Sequence, residues 1–325
     1  LLEPQYSDIS TRADIDISSD FGKFTLNVPI VSSPMDTVTE FDMAYAMHHN
    51  GAMGVIHRYK APREQFILAR ELATSEIGFG VAIGTAGDFI QRVYELHQTG
   101  VNIFCIDVAH GHHACVEKVI KTLKDQYNSD IHIMAGNVAT LEGFNDLADW
   151  GADSIRVGIG GGSICSTRVQ TGHGIPTLQS VLDCSLSDRN AKLVADGGIK
   201  NSGDIVKCLA AGADAVMLGS LLAGTEEAPG ELINFDGRKR KIYRGMASKE
   251  AQNDWRGRYS SIEGISSSVL FRGPVDNILR DLEQGIRSGF SYSGARNLKE
   301  FQSKAKFIIQ TAAGQIESST HIVRR

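Results

Sequence analysis

No stretch of this sequence approaches the ~20 consecutive apolar residues needed to cross a bilayer. The opening Leu1-Leu2-Glu3-Pro4-Gln5 has no signal-peptide pattern. A cytoplasmic protein with no membrane partner is therefore expected. Cysteine is scarce: there are five in 325 residues, an odd number with no Cys-x2-Cys pair. That argues against a disulfide framework and against the usual structural zinc sites. There is no long basic run, and the formal net charge is -5. A general nucleic-acid binder is not expected, whereas a small phosphorylated ligand needs only a local site.

What is present is a chain with 42% hydrophobic and 22% charged residues, enough to bury a full core. Apolar runs of strand length recur eight times, at 28–36, 51–58, 77–84, 102–109, 132–138, 154–160, 192–198 and 215–220. Amphipathic patterns separate them, near 40–49, 62–74, 86–98, 113–127, 141–149, 176–184 and 202–211. Such alternation dictates an α/β fold with a parallel sheet and helical crossovers. Eight units, followed by a helical pattern at 274–288 that can close the ring, predict a single-domain (β/α)8 TIM barrel. The alternative is a doubly wound open sheet. Residues 224–273, after the eighth strand, form a polar insertion rich in glycine and serine, as expected of a flap. The tail, 306–325, lies outside the barrel count and either reaches a neighbouring subunit or frays.

Barrel enzymes carry their chemistry at the carboxyl ends of the strands. There the sixth strand runs into Gly158-Ile159-Gly160-Gly161-Gly162-Ser163-Ile164-Cys165-Ser166-Thr167-Arg168. Four glycines in five residues free the backbone to turn its amides or carbonyls toward a ligand or ion. An isolated cysteine is usually a small buried apolar residue. A thiol in this polar loop, with Thr167 and Arg168 beside it, is instead expected to be exposed, partly ionised and nucleophilic. Cys105, Cys115, Cys184 and Cys208 fall within strand or helix patterns and are assigned to packing. His110, His112 and His113 cluster after the fourth strand, but a His-x-His pair without an acidic partner at ligand spacing is weak evidence for a metal. The seventh and eighth strands end in Asp196-Gly197-Gly198 and Gly219-Ser220, where many barrels hold a phosphate on backbone amides. Ser163 can add a hydroxyl, and Asp196 can accept hydrogen bonds from a ribose diol. Taken separately, these glycines also read as tight turns.

The sequence resembles the IMP dehydrogenase and GMP reductase family over nearly its whole length. The matching segments are Ser32-Ser33-Pro34-Met35-Asp36-Thr37-Val38-Thr39-Glu40, Asp107-Val108-Ala109-His110-Gly111-His112 and Met134-Ala135-Gly136-Asn137-Val138-Ala139-Thr140. The Cys165 loop, Asp196-Gly197-Gly198 and Tyr243-Arg244-Gly245-Met246 complete the set. The resemblance implies that Cys165 attacks C2 of a purine nucleotide to give a covalent thioimidate. It further implies a nucleotide cradle of Ser33, Met35, Ser163, Asp196, Gly197, Gly198, Gly219, Ser220, Tyr243, Gly245 and Met246. Asp107, Asn137, Gly158 and Gly160 match positions on the nicotinamide side. A potassium ion on carbonyls of Gly160, Gly162 and Cys165, completed by Glu317, Ser318 and Ser319 of an adjacent subunit in a homotetramer, is also implied.

Two features distinguish the family's branches. Most of its dehydrogenases carry a regulatory (CBS) domain pair after the second strand, where only about twenty residues, Tyr59 to Ile77, lie here. No such domains are expected. In addition, Tyr259 precedes Glu263 by four residues, as in the Glu-Tyr-x-x-x-Glu-Gly pattern of the reductases, although Arg258 stands where that pattern has glutamate. The resemblance thus implies reductive deamination of GMP to IMP with NADPH, with Thr167 and Glu263 relaying a proton to the leaving amine. The alternative is oxidation of IMP with NAD by a dehydrogenase lacking its regulatory domains. A third reading is a noncatalytic nucleotide sensor.

Overall fold

The computed structural model describes residues 1–87 and 89–318. Eight strands form a closed barrel: β3 (Ile30–Ser32), β4 (Met53–Ile56), β5 (Phe79–Ile83), β6 (Ile103–Asp107), β7 (His132–Val138), β8 (Ser154–Val157), β9 (Lys192–Asp196) and β10 (Ala215–Leu218). All neighbours are parallel, and β10 closes on β3 through Val216–Ile30, Met217–Val31 and Leu218–Ser32. Before them, β1 (Ser19–Asp20) and β2 (Thr25–Leu26) form a short antiparallel hairpin. The crossovers are α1 (Phe41–His49), α2 (Pro62–Thr74), α3 (Phe89–His97), α4 (Ala114–Tyr127), α5 (Leu141–Trp150), α6 (Thr167–Thr171), α7 (Thr177–Cys184) and α8 (Ser202–Ala210). The expected alternation is thus present and the doubly wound sheet is excluded, because the ring has no open edge.

Local sequence explains the boundaries. Thr140 caps α5 by accepting from the Gly143 amide at 3.2 Å, and Gly151 ends it in the left-handed region at φ 113°. Asn201 caps α8 through the Asp204 amide at 3.0 Å. Strand residues alternate between two cores. Ile155 and Val157 of β8 join the large cluster between barrel and helices, while Val31, Val55, Cys105, Met134, Val194 and Met217 fill the barrel interior. Phe21 and Leu26 of the hairpin join that interior cluster, and Phe21 stacks on Phe24 at 5.1 Å. His132 meets Phe24 edge to face at 5.0 Å, and burial pushes its pKa down to about 4, so it is neutral there.

The insertion after β10 is ordered. It forms a three-stranded antiparallel sheet of β11 (Ile233–Phe235), β12 (Arg238–Arg244) and β13 (Ser266–Leu270), with α9 (Lys249–Arg256) between the last two strands. Arg244 fastens it to the barrel rim through Asp36 at 2.6 Å and also pairs with Asp254 of α9 at 2.5 Å. α10 (Val275–Tyr292) then lays Val275, Leu279, Leu282, Ile286 and Phe290 against the core, which completes the ring of helices. α11 (Leu298–Lys304) follows. In the tail, α12 (Ala312–Glu317) comes after a bridge between Phe307 and Leu2 near the amino terminus.

Candidate active site

The carboxyl ends of the barrel strands and the inner side of the insertion enclose a cavity of about 390 Å³, within the range of small-molecule sites. Its lining includes Ser33, Met35, Asp107, Asn137, Gly158, Gly160, Gly162, Ser163, Cys165, Thr167, Asp196, Gly197, Gly198, Gly219, Ser220, Tyr243, Gly245, Met246 and Glu263. Every site residue expected from the sequence is therefore brought to one cavity except those of the tail. Glu317 and Ser318 do not line it, and Ser319 lies outside the described residues.

Cys165 is exposed at the cavity, with its thiol 3.2 Å from the Thr167 hydroxyl. Thr167 in turn donates to the Glu263 carboxylate at 2.8 Å. These three side chains, spanning nearly a hundred residues of sequence, are held together by backbone pairing. The Ser166 amide donates to the Glu263 carbonyl at 2.9 Å and the Ile265 amide to the Ile164 carbonyl at 3.0 Å. The insertion thereby forms a short antiparallel bridge to the cysteine loop, with Cys165 opposite Gly264. Arg168 differs from expectation. Its guanidinium donates to the carbonyls of Ile159 at 3.4 Å and Ile175 at 2.6 Å, so it braces the loop and is spent on backbone oxygens. Gly158 must be glycine: its φ is 145°, and a Cβ there would lie 2.0 Å from the Asp196 carbonyl.

Several expected nucleotide contacts converge around Gly219. A Cβ on it would lie 2.9 Å from the Tyr243 hydroxyl and 3.1 Å from Ser33 Oγ. The Ser33 hydroxyl is buried without a protein partner, which leaves it free for a ligand. The amides of Leu222 and Ala223 donate to the Gly219 carbonyl at 3.0 Å, so Gly219 opens a helical turn whose first amides are free for an anion. Burial pushes the Tyr243 phenol up to about 12, so it is a neutral hydrogen-bonding group. Asp196 accepts from Asn137 Nδ2 at 2.8 Å through Oδ2, and Asn137 also donates to the Gly158 carbonyl at 2.9 Å.

Beneath these groups lies Arg156, which the sequence reading missed. It is 2% exposed and pairs with Asp107 at 2.7 Å and Asp196 at 3.8 Å. Burial opposes its charge, but the carboxylates of Asp107 and Asp196 prevail and keep it protonated. Burial also raises the Asp196 pKa, with Arg156 resisting. A detectable signal existed. Ile155 and Val157 face the helices, so Arg156 between them must point into the barrel. Also missed were Arg58, Tyr59, Trp255 and Arg256, which line the same cavity. No local motif joins residues so far apart. Of the histidines, His112 is taken up by Asp146 at 2.7 Å and His113 caps α4 by accepting from the Cys115 amide at 3.1 Å.

Comparison with known proteins places the chain in a family. The family model for the IMP dehydrogenase / GMP reductase domain matches residues 1–321. Inosine-5'-monophosphate dehydrogenase of Aquifex aeolicus is 32% identical over 467 aligned positions, covering 100% of this chain and 94% of that protein. GMP reductase of Leishmania major is 41% identical over 259 residues, 76% of this chain and 53% of that one. Among solved structures, a cysteine-to-alanine variant of GMP reductase from Trypanosoma brucei in complex with guanosine 5'-monophosphate superposes with a TM-score of 0.94. It is 29% identical and covers 100% of this chain and 97% of its own. With the family model spanning almost every residue and a relative of that family covering the whole chain at 32% identity, the chain belongs to the IMP dehydrogenase and GMP reductase family of oxidoreductases.

Proposed function

We propose that this oxidoreductase is a GMP reductase, converting GMP, NADPH and two protons to IMP, NADP and ammonium. The observation that carries the reading is the chain of contacts from Cys165 through Thr167 to Glu263, at 3.2 and 2.8 Å. Cys165 Sγ adds to C2 of the purine, and its proton passes through Thr167 toward Glu263. That relay returns a proton to the exocyclic amine, which leaves as the C2–N bond breaks and the thioimidate forms. The dinucleotide supplies a hydride to C2, and the thiolate departs. Ser163, Asp196, Gly197, Gly198, Gly219, Ser220 and Tyr243 cradle the nucleotide, with Gly245 and Met246 near the base and Ser33 and Met35 packed beside it. Asp107, Asn137, Gly158 and Gly160 line the hydride side.

The second reading, IMP dehydrogenase, is favoured by the Arg258-Tyr259 pair and by relatives of that name. Neither residue lines the cavity, and Tyr259 is held on the surface by the Lys249 ammonium, 5.0 Å from its ring centroid. Incubating the protein with GMP and NADPH, and separately with IMP and NAD, decides between them by the product formed. Equal amounts of IMP and ammonia from the first mixture are expected. Steady release of XMP from the second would overturn the reductase reading.

The proposal includes a homotetramer in the cytoplasm, where five free thiols are at home. It also includes a potassium ion on the cysteine loop. Gly160, Gly162 and Cys165 offer carbonyl oxygens, the donor type that a hard cation takes, and Glu317, Ser318 and Ser319 of an adjacent subunit would complete the shell. The Cys165 amide donates to the Gly162 carbonyl at 3.1 Å, so an ion there would order the nucleophile's own turn. Turnover is expected to rise when potassium replaces tetramethylammonium. Identical rates in potassium, sodium and tetramethylammonium buffers would remove the ion from the proposal.

A further inference from the structure

At the carboxyl end of β4 the cavity wall is built by Arg58 and Tyr59, and facing them is the last turn of α9 with Trp255 and Arg256. The four side chains form one stack. The Tyr59 and Trp255 rings meet edge to face with centroids 4.9 Å apart. The Arg58 guanidinium lies 4.8 Å from the Tyr59 centroid and 5.4 Å from that of Trp255. The Arg256 guanidinium lies 4.4 Å from the Trp255 centroid.

Charge in this stack is not balanced. Asp107, the nearest carboxylate to Arg58, stands 3.7 Å away and is already taken by Arg156 at 2.7 Å. Arg256 makes no ion pair and no side-chain hydrogen bond among the described residues. Arg244, on the same insertion, is by contrast bound by two aspartates. A guanidinium laid against an indole face has its conformational freedom already reduced while its N–H edge stays unspent, which is the arrangement that grips a phosphate. The phosphate of the purine nucleotide is the wrong one for it. The turns suited to that group follow β9 and β10, which lie three and two strands round the ring from β4.

We propose that Arg256, seated on Trp255 and backed by Arg58 and Tyr59, binds a phosphate of the dinucleotide cosubstrate, so that helix α9 of the insertion is part of the cofactor site. The inference rests on the reading of the chain as a dinucleotide-dependent oxidoreductase acting on a purine nucleotide. Asp107 connects the two parts physically, because Arg58 Nε also donates to its backbone carbonyl at 3.1 Å. Placing the receptor on the insertion makes α9 part of the wall that the dinucleotide contacts.

The test is steady-state kinetics on two pairs of variants. Arg256→Gln is expected to raise the KM for the dinucleotide about tenfold, as for the loss of one charge-assisted contact, while the KM for the purine nucleotide stays within about twofold. Arg256→Lys should recover part of the loss. Trp255→Ala should behave like Arg256→Gln because the guanidinium loses its platform, and Trp255→Phe should not. A loss confined to NADPH assigns the contact to the 2′-phosphate, whereas an equal loss with NADH assigns it to the bridging diphosphate. Unchanged dinucleotide KM values in both Arg256→Gln and Trp255→Ala overturn the inference and leave the proposed activity standing. A second readout needs no turnover. Trp150 and Trp255 are the two tryptophans of the chain, so in a Trp150→Phe background the emission of Trp255 should be quenched as dinucleotide is added. Quenching without turnover of either GMP or IMP would keep the inference and sink the activity. Absence of quenching counts against the inference.

Discussion

Cys165→Ser should bring turnover to the floor of the assay while GMP affinity, measured by titration calorimetry, stays within about tenfold of the unaltered protein. The thiol is exposed and makes one side-chain contact, at 3.2 Å to Thr167. Exchanging sulfur for oxygen at such a position costs little stability, so loss of activity cannot be ascribed to unfolding. Affinity survives because the groups proposed to hold the phosphate and ribose are anchored independently of the cysteine. Tyr243 sits on β12, paired to Ser267 of β13, and Asp196 ends β9. What disappears is the step that only a thiolate performs. An ordinary thiol ionises near pH 8.5 and an alcohol does not ionise in the accessible range, so serine cannot supply the same nucleophile. Near-normal turnover in this variant would remove Cys165 as the nucleophile, and with it the covalent mechanism.

The barrel was legible from sequence because its strands are buried on both sides. Residues such as Val31, Val55, Val81, Ile106 and Val194 are fully buried, and parallel strands covered on both faces read as continuous apolar runs. The same rule hid the sheet of the insertion. β12 reads Arg238-Lys239-Arg240-Lys241-Ile242-Tyr243-Arg244 and looks like a solvated loop, yet Lys241 is 5% exposed with its ammonium 2.9 Å from the Glu226 carbonyl. A buried lysine satisfied by backbone oxygens defeats any reading based on polarity. The hairpin of β1 and β2 escaped notice for another reason, since two-residue strands have no periodicity to detect.

The site divides in the same way. Residues that follow directly on a strand end, such as Asp196, Gly197 and Gly198, were legible because the fold alone carries them to the active face. Thr167 and Glu263 were joined only through family resemblance. Their contact depends on the bridge between Cys165 and Gly264, a tertiary pairing that no spacing rule specifies. The stack of Tyr59 and Trp255 lacked even that support. Arg156 is the one omission that physical reasoning alone should have prevented, because a charge in the middle of a central barrel strand is costly unless paired.

The dependence of Glu263 on that bridge leads to the strongest test of direction. Glu263→Gln preserves shape and leaves an oxygen to accept from Thr167, but removes the titratable carboxylate. If the relay delivers a proton to the departing amine, ammonia release from GMP should slow by about 100-fold or more, a typical contribution of a positioned proton-transfer group. Hydride transfer involves no leaving amine and should suffer less. The two steps separate experimentally by supplying IMP with oxidised dinucleotide and following only the reduced form in a single turnover. Equal slowing of both steps would mean that the Glu263 side chain holds Thr167 in place rather than moving a proton, since the Thr167 hydroxyl donates to its carboxylate at 2.8 Å. Arg258→Ala supplies the opposing arm. Arg258 does not line the cavity, so the reductase is expected to form IMP from GMP without it. Should the unaltered protein instead release XMP from IMP at steady state, and should Arg258→Ala block that release while sparing hydride transfer, then the guanidinium activates water. The insertion would have to move to bring Arg258 to the thioimidate, and the chain would be a dehydrogenase with a shortened flap.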